Sequence, residues 1–222
     1  MRRLMTLFLG AALLSGVCYA DGEGKESYSL GYQFGQYLQS QGLDIDLEVY
    51  LSGIKDALAG KEPLLSREEI RATIKALQQR VEAAGEMESR QKAAKTLEEG
   101  RRFLAENQKK EGIRALPSGL QYKVLSEGSG RTPQPTDSVT VNYKGTLIDG
   151  TEFDSSYKRG QSATFKVSGV IRGWTQALQL MKEGSKWQLF VPPDLAYGER
   201  GAGRSIPPNS TLIFEVELIS VQ

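Results

Sequence analysis

The sequence predicts an α+β protein in which a helical N-terminal half precedes an antiparallel β-sheet wrapped on one short α-helix. Up to about residue 112, apolar residues recur at three- and four-residue spacing, which is typical of amphipathic helices. Beyond that point they alternate with polar residues, which is typical of strands with one buried face. The length of 222 residues is enough for one large domain or two small ones.

The composition excludes several classes of function. The 28 Lys and Arg residues nearly balance the 27 Asp and Glu residues, so no nucleic-acid partner is expected. The absence of histidine excludes Ser-His-Asp and Cys-His catalysis and histidine metal sites. A single cysteine excludes intrachain disulfides and thiolate clusters. We therefore expect no metal and no cofactor, and a chemistry based on shape, hydrogen bonds and carboxylates.

The first twenty residues have the pattern of a secretory signal peptide. Two arginines precede an apolar run from 4 to 17, and residues 18–20 (CYA) form a cleavage site. Cleavage after Ala20 would remove the only cysteine, which suits an oxidising compartment. Two alternatives remain open. Cys18 would be a lipid-attachment site, although Val17 suits that signal poorly, or the run would be a retained membrane anchor, although it is short.

Residues 21–65 predict two short amphipathic helices. Gly42 ends the first, and the second has Asp46 as its cap and Gly60 as its terminator. The apolar positions are Tyr28, Leu30, Phe34, Tyr37 and Leu38, then Leu47, Tyr50, Leu51, Ile54 and Leu58. Helices of this size bury too little surface for a stable core of their own. They need a partner, which is either the rest of the chain or a second copy of it.

Residues 66–112 predict one long connecting helix. The sequence SREE at 66–69 is a capping box. An apolar stripe follows and then thins beyond Met87, where the surface becomes densely charged, and Gly85 and Gly100 are candidate bends. The helix would either fold back on its own domain or, as its polar second half favours, form a solvent-bridging arm.

Residues 113–222 predict an antiparallel sheet packed on one short helix. Alternation marks strands at 139–147 and 212–218, and Asp-Gly at 149–150 indicates a hairpin. Apolar residues between 174 and 181 lie on one face of a helix that a glycine ends.

Five blocks in this region resemble the FKBP family of peptidyl-prolyl cis/trans isomerases. In order, they are VTVNYKG at 139–145, DGTEFDSS at 149–156, VIRGW at 170–174, PDLAYG at 193–198 and IPPNSTLIFEVEL at 206–218. The N-terminal half widens the match, because YSLGY at 28–32, the long charged helix and LPSGLQYKV at 116–124 are similar to the macrophage infectivity potentiator branch. The resemblance covers essentially the whole chain after residue 20.

The resemblance implies an isomerase domain at 113–222, a dimerisation domain at 21–65 and a helix that holds two isomerase domains apart. Members of that branch are secreted bacterial proteins. The implied location is therefore outside the cytoplasm, in the periplasm or at the outer membrane or cell surface of a Gram-negative bacterium. The implied partners are proline-containing unfolded or partly folded polypeptides, a second copy of the chain and a macrolide inhibitor.

The resemblance also implies a pocket of aromatic and aliphatic side chains with a tryptophan as its floor. Its members are Tyr143, Phe153, Val170, Ile171, Trp174, Tyr197, Ile206 and Phe214. The Ile171 N–H and the Tyr197 hydroxyl would orient the peptide. Asp154 would lie at the edge, held by Tyr143 and Arg159, and would complete the catalytic set. Outside this context, each aromatic would be interpreted as core and Asp154 as a turn residue.

One position departs from the family pattern. Ala163 stands where many members have an aromatic residue that lines the pocket, and Phe165 is expected to be a neighbouring core residue instead of its replacement. We therefore expect a more open rim and weaker macrolide binding.

Three functions remain in view. The first is an exported isomerase that assists folding outside the cytoplasm, the second a dimeric holdase with isomerisation secondary, and the third an inactive interaction module. The complete set of Asp154, Trp174, Tyr197 and Phe214 argues against the third.

Overall fold

A computed structural model describes residues 22–222 of the chain. These residues divide into two compact units, one that ends at Ala83 and one from Ala84 to Gln222. The predicted signal peptide lies outside the described residues. Within the described part, no helix is long and apolar enough to cross a membrane.

The first unit contains the two predicted helices, α1 (Gly22–Ser40) and α2 (Leu47–Leu58). The side chain of Asp46 accepts two backbone N–H bonds at the start of α2, so the predicted cap is confirmed. Gly42 and Gly60, which follow the two helices, have φ angles of 62° and 65°. Such left-handed backbone is accessible to glycine without a steric cost, which explains why both helices end where they do.

Helix α3 runs from Arg67 to Asn107 and begins with the predicted capping box. The Glu69 N–H donates to Ser66 Oγ at 3.2 Å, and the Ser66 N–H donates back to Glu69 Oε2 at 2.8 Å. These local bonds define the start of the helix. Its end comes about five residues earlier than the sequence predicted.

The second unit is built on a seven-stranded antiparallel sheet with the strand order β1-β2-β6-β7-β3-β4, in which β5 also pairs with β3. The strands are β1 (Ile113–Ala115), β2 (Gln121–Ser126), β3 (Ser138–Leu147), β4 (Glu152–Ser155), β5 (Ala163–Lys166), β6 (Lys186–Val191) and β7 (Leu212–Val221). A single turn, α4 (Ser156–Arg159), follows β4, and the short helix α5 (Arg172–Leu178) precedes β6. The predicted α+β architecture is confirmed.

The core lies between one face of the sheet and α5. Along β3, buried Val139, Val141 and Tyr143 alternate with less buried residues, and β7 alternates in the same way. From α5, Ala177 and Leu178 pack into this core. The inner faces of β3 and β7 therefore carry aromatic side chains towards the site described below.

The C-terminal part of α3 packs on the sheet instead of projecting from it. Buried Asn107 donates to Gln121 Oε1 at 3.0 Å, and Gln121 Nε2 donates to the Leu104 carbonyl at 2.9 Å. The helix comes so close at Gly100 that a Cβ there would lie 2.4 Å from Thr211 Oγ1. The second compact unit therefore includes the part of α3 from Ala84 onwards as well as the sheet.

Candidate active site

The inner face of the sheet opens at one end into a cleft of about 470 Å³. Six of its ten lining residues are aromatic. The lining residues are Tyr143, Phe153, Asp154, Phe165, Gly169, Val170, Ile171, Trp174, Tyr197 and Phe214. Every predicted site residue except Ile206 is among them.

Trp174 lines the cleft and is only 4% exposed. Its ring meets three other aromatic rings edge to face. The centroid distances are 5.3 Å to Tyr143, 5.3 Å to Phe214 and 5.9 Å to Phe165. Edge-to-face contacts of this kind stabilise a particular ring orientation beyond simple burial. The indole therefore presents a rigid apolar surface to whatever occupies the cleft.

Gly145, which the sequence analysis did not single out, makes room for two walls of the cleft. It pairs with Phe214 across the β3–β7 ladder. A Cβ at Gly145 would lie 2.6 Å from the ring of Phe153 and 2.9 Å from the ring of Phe214. These rings pack edge to face at 5.6 Å in the space that the glycine leaves. Only the strand register reveals this role.

Asp154 is held at the edge of the cleft by two permanent donors. The Tyr143 hydroxyl donates to Oδ2 at 2.5 Å, and the Arg159 guanidinium forms an ion pair with Oδ1. Arg159 also donates to the Tyr143 oxygen at 2.9 Å, which closes a triangle of three side chains. Both carboxylate oxygens are therefore engaged within the protein.

The electrostatics of this triangle keep Asp154 ionised. Burial opposes its charge, but the hydrogen bonds from Tyr143 and Arg159 and the nearby positive charge outweigh it, so the pKa of the carboxyl lies below its ordinary value. Burial, together with the bond to Asp154, raises the pKa of the Tyr143 hydroxyl. Tyr143 is thus a proton-retaining donor at neutral pH, and Asp154 is a fixed negative charge.

The two residues predicted to orient a peptide lie on different segments of the cleft wall. Ile171 directly precedes α5, and its carbonyl accepts the Thr175 N–H at 3.1 Å. Tyr197 is 42% exposed and precedes a single 3₁₀ turn, Gly198–Arg200. The structure brings both side chains into the lining of one cleft.

One predicted site residue does not line the cleft. Ile206 is buried in the core, where its backbone pairs with Ala202, and it does not line the cleft. Phe165 packs against the core, as predicted, and also lines the cleft. Because side chains alternate along a strand, Phe165 shares the inner face of β5 with Ala163. This alternation is the sequence signal that predicts Phe165 in the cleft lining.

The described residues contain no group of three or more acidic, cysteine or histidine side chains that could hold a metal ion. The cleft itself presents an apolar, aromatic surface beside a fixed carboxylate. Such a surface can bind a proline ring and act on the amide next to it through its field.

Comparison with known proteins agrees with this geometry. The family model for FKBP-type peptidyl-prolyl cis-trans isomerases matches residues 129–219, and the model for the domain amino terminal to such isomerases matches residues 23–124. The chain is 43% identical over 228 residues to the outer membrane protein MIP of Legionella longbeachae, with 100% of this chain and 98% of that protein covered.

Two further relatives come from Escherichia coli. The FKBP-type 22 kDa peptidyl-prolyl cis-trans isomerase of strain K12 is 48% identical over 200 residues, which cover 90% of this chain and 95% of that protein. The crystal structure of FkpA superposes with a TM-score of 0.78 at 40% identity, and the match covers 91% of this chain and 98% of that one.

Proposed function

Because this chain belongs to the family of FKBP-type peptidyl-prolyl cis-trans isomerases, we propose that the aromatic cleft of its second unit is the site where it twists X-Pro bonds. The protein is a peptidyl-prolyl isomerase, and the family acts on proline-containing substrates. One observation carries the assignment of the site. A tryptophan of the cleft lining, held by three aromatic edges, lies beside an ionised carboxylate that has no proton to give.

The mechanism requires only that the cleft prefers the twisted amide. The planar X-Pro amide is stabilised by resonance, and the barrier to its rotation is about 18–20 kcal/mol. Twisting removes the resonance and leaves the carbonyl less dipolar, so water stabilises the planar form more than the twisted one. In an apolar cleft the planar amide loses this extra stabilisation by water. Each 1.36 kcal/mol by which the cleft then favours the twisted form increases the rate about tenfold.

In this proposal, each residue of the cleft contributes through position and not through proton exchange. Trp174 supports the proline ring, while Tyr143, Phe153, Val170 and Phe214 form the walls. The Tyr197 hydroxyl and the Ile171 N–H donate to the peptide and fix its orientation.

Asp154 acts on the twisted amide through its field in a partly desolvated site. Its oxygens already accept bonds from Tyr143 and Arg159, which keeps the carboxylate in place without help from the substrate. Ile206, which lies behind the lining, supports the cleft from the core.

The test is the kcat/KM of the full chain for a short cis X-Pro peptide. We expect Asp154→Leu to lower kcat/KM by about tenfold or more, because it removes the only charged side chain among the described residues that line the cleft. Asp149→Asn is the matched control. Asp149 is an exposed residue of the same hairpin, its side chain accepts the Thr151 N–H, and it lies outside the cleft lining. Full activity of Asp154→Leu would show that the site is assigned wrongly.

The exposed faces of α1 and α2 support a second part of the proposal, that the protein is a homodimer. No residue of α2 is buried, and Val49 is 66% exposed. Within the unit, Phe34 stacks on Tyr50 at 5.6 Å, yet Phe34 and Tyr37 stay largely exposed. Contiguous apolar surface of this kind marks an interaction site. A second copy of the chain covers it with the same surface.

The proposed setting is protein folding outside the cytoplasm. The pattern of residues 1–20 and the similarity to the outer membrane protein MIP of Legionella longbeachae support export. A dimeric holdase that binds unfolded chains, with isomerisation secondary, is the second candidate, because Ile70 and Ile74 on α3 expose apolar side chains outside α1 and α2.

Asp154→Leu separates the two candidates in the refolding of a protein limited by proline isomerisation. If isomerisation is the main activity, the variant loses the acceleration. If holding is the main activity, the variant keeps the wild-type effect on refolding yield and on suppression of aggregation.

A further inference from the structure

The segment from Tyr197 to Asn209 connects the rim of the cleft to helix α3. Its base is closed by the Asn209 N–H, which donates to the Gly198 carbonyl at 2.8 Å, directly after Tyr197 in the chain. Within the loop, Ala202 and Ile206 pair through two backbone bonds of 2.9 and 3.1 Å. The backbone that carries Tyr197 is thus held by a small closed loop whose last residue is Asn209.

Asn209 has an unusual backbone conformation. Its φ angle is 60°, and it is the only residue other than glycine with a positive φ in the described part of the chain. Asparagine tolerates this left-handed region better than most residues, although glycine adopts it more readily still. The backbone alone would therefore favour glycine at this position, and the side chain of Asn209 needs a separate explanation.

That explanation lies on α3. Asn209 Nδ2 donates to the carbonyl of Ala93 at 3.3 Å in a partly buried contact. Two residues further on, Thr211 packs against Gly100 of the same helix, where no space is left for a Cβ. The start of β7 is therefore fitted closely to α3, and Asn209 is fixed on a rigid element at one end and on the Tyr197 loop at the other.

We propose that Asn209 is a positioning residue for Tyr197. It does not line the cleft and so acts through the Gly198 carbonyl that its N–H holds. The proposal rests on the proposed function, in which the Tyr197 hydroxyl donates to the substrate. Tyr197 is half exposed at the rim, and the place of its hydroxyl depends on the backbone of its loop. Anchoring that loop on α3 keeps the hydroxyl in reach of the peptide.

The substitution Asn209→Gly isolates the role of the side chain. It keeps the positive φ and the backbone N–H to Gly198, and it removes the side-chain bond to the Ala93 carbonyl while it gives the backbone more freedom. Asn209→Asp is a second variant, because it keeps the size and the backbone tolerance of asparagine but places a carboxylate against that carbonyl. Thermal unfolding curves of both variants identify a temperature at which each is fully folded, and kcat/KM is measured at that temperature.

The experiment is a double-mutant cycle on kcat/KM for a short cis X-Pro peptide, measured with the full chain. We expect Tyr197→Phe alone to cost about tenfold and Asn209→Gly alone about three- to fivefold, both within the value of one hydrogen bond. In the Tyr197→Phe background, Asn209→Gly should cost nothing further, because the group that it positions is already missing. Asn209→Asp should behave like Asn209→Gly or lose more.

Gln121→Met is the matched control. Gln121 also donates an amide N–H to a carbonyl of α3, that of Leu104, but it lies on β2 and not on the Tyr197 loop. It should lower the unfolding temperature and leave kcat/KM unchanged.

Three results would overturn the proposal. They are an unchanged kcat/KM in Asn209→Gly, an equal loss in both backgrounds, and a loss of the same size in Gln121→Met. If Tyr197→Phe costs tenfold while Asn209→Gly costs nothing, the positioning role fails and the proposed function stands. If Tyr197→Phe and Asp154→Leu both keep the full rate, the site assignment fails and the positioning role fails with it.

Discussion

Single residues give the cleft a charge distribution that does not change near neutral pH. The carboxylate of Asp154 has a lowered pKa, and the Tyr143 hydroxyl beside it has a raised one. The chain contains no histidine that could titrate between these two groups. The electric field that acts on the substrate amide is therefore constant near neutral pH, where the activity of most enzymes with a general base changes with pH.

This constancy predicts a flat pH profile. We expect kcat/KM to stay level between about pH 6 and 8 and to fall only as Asp154 becomes protonated, below the range of an ordinary carboxyl. The lowered pKa of Asp154 also stabilises the folded protein. This stabilisation is fully present above the unfolded-state pKa and, like kcat/KM, is lost as pH falls through the folded-state pKa. A peptide assay across pH 4–9 is the measurement. An ionisation near pH 7 would contradict a mechanism without proton transfer.

The sequence predicts which residues belong to the site better than it predicts which residues contact each other. Asp154, Trp174 and Phe214 stand in sequence blocks specific enough to predict their place in the cleft. The role of Gly145 depends on its pairing with Phe214 across β3 and β7, and a single sequence does not contain that register. The place of Phe165 in the cleft lining is predictable from the sequence, because alternation along β5 puts its side chain on the inner face.

At the scale of elements, the starts of the helices were predictable and the packing of α3 was not. Asp46 and Ser66 bind the first turns of their own helices, so the signal is local. The face of α3 that packs on the sheet includes Gly100 and Asn107, which do not look like core residues. Their burial depends on Thr211 and Gln121, more than ten residues away in sequence. A polar face and a buried face are therefore indistinguishable from the helix sequence alone.

The two glycines inside α3 should respond in opposite ways to alanine. At Gly85 a Cβ meets nothing within 4 Å, so Gly85→Ala should stabilise the protein by up to about 1 kcal/mol through helix propensity. At Gly100 a Cβ would lie 2.4 Å from Thr211 Oγ1, so Gly100→Ala should destabilise it by about 1–3 kcal/mol. Denaturant unfolding of both variants measures the difference. If both substitutions stabilise, α3 does not pack on the sheet as described.

At the scale of the whole molecule, we expect the protein without residues 1–20 to sediment as a dimer at tens of micromolar, an order of magnitude at which stable dimers persist. Val49→Glu on α2 should shift it towards monomer, because the charge would be buried between two copies. Leu125→Glu is the control, since Leu125 is an exposed apolar residue of β2 in the other unit. A monomeric wild-type protein would leave the exposed faces of α1 and α2 without this explanation.

The second unit should act alone on small substrates. Residues 84–222 contain the cleft together with the part of α3 that packs on the sheet, so this fragment should isomerise a short peptide at nearly the full rate. A fragment that starts at residue 113 should be much less stable, because it leaves Gln121 and Thr211 without the helix.

An unfolded protein is a different substrate for these fragments. It can engage both clefts of a dimer, and linked sites raise avidity by about 10² or more, so residues 84–222 should accelerate its refolding less than the full chain does. Equal performance on peptide and protein would show that the first unit contributes nothing to client binding.

The two tryptophans give the molecule an optical property that follows from where they lie. Trp174 lines the cleft, whereas Trp187 is stacked on Tyr122 in the core with ring centroids 4.4 Å apart. The emission of Trp174 should change when a ligand displaces water from above the indole, while that of Trp187 should stay constant. Replacing Trp187 by phenylalanine keeps an aromatic ring against Tyr122 and leaves Trp174 as the single tryptophan, which excitation at the red edge of the absorption band selects over the tyrosines. The protein then reports the occupancy of its own cleft in real time, without a label.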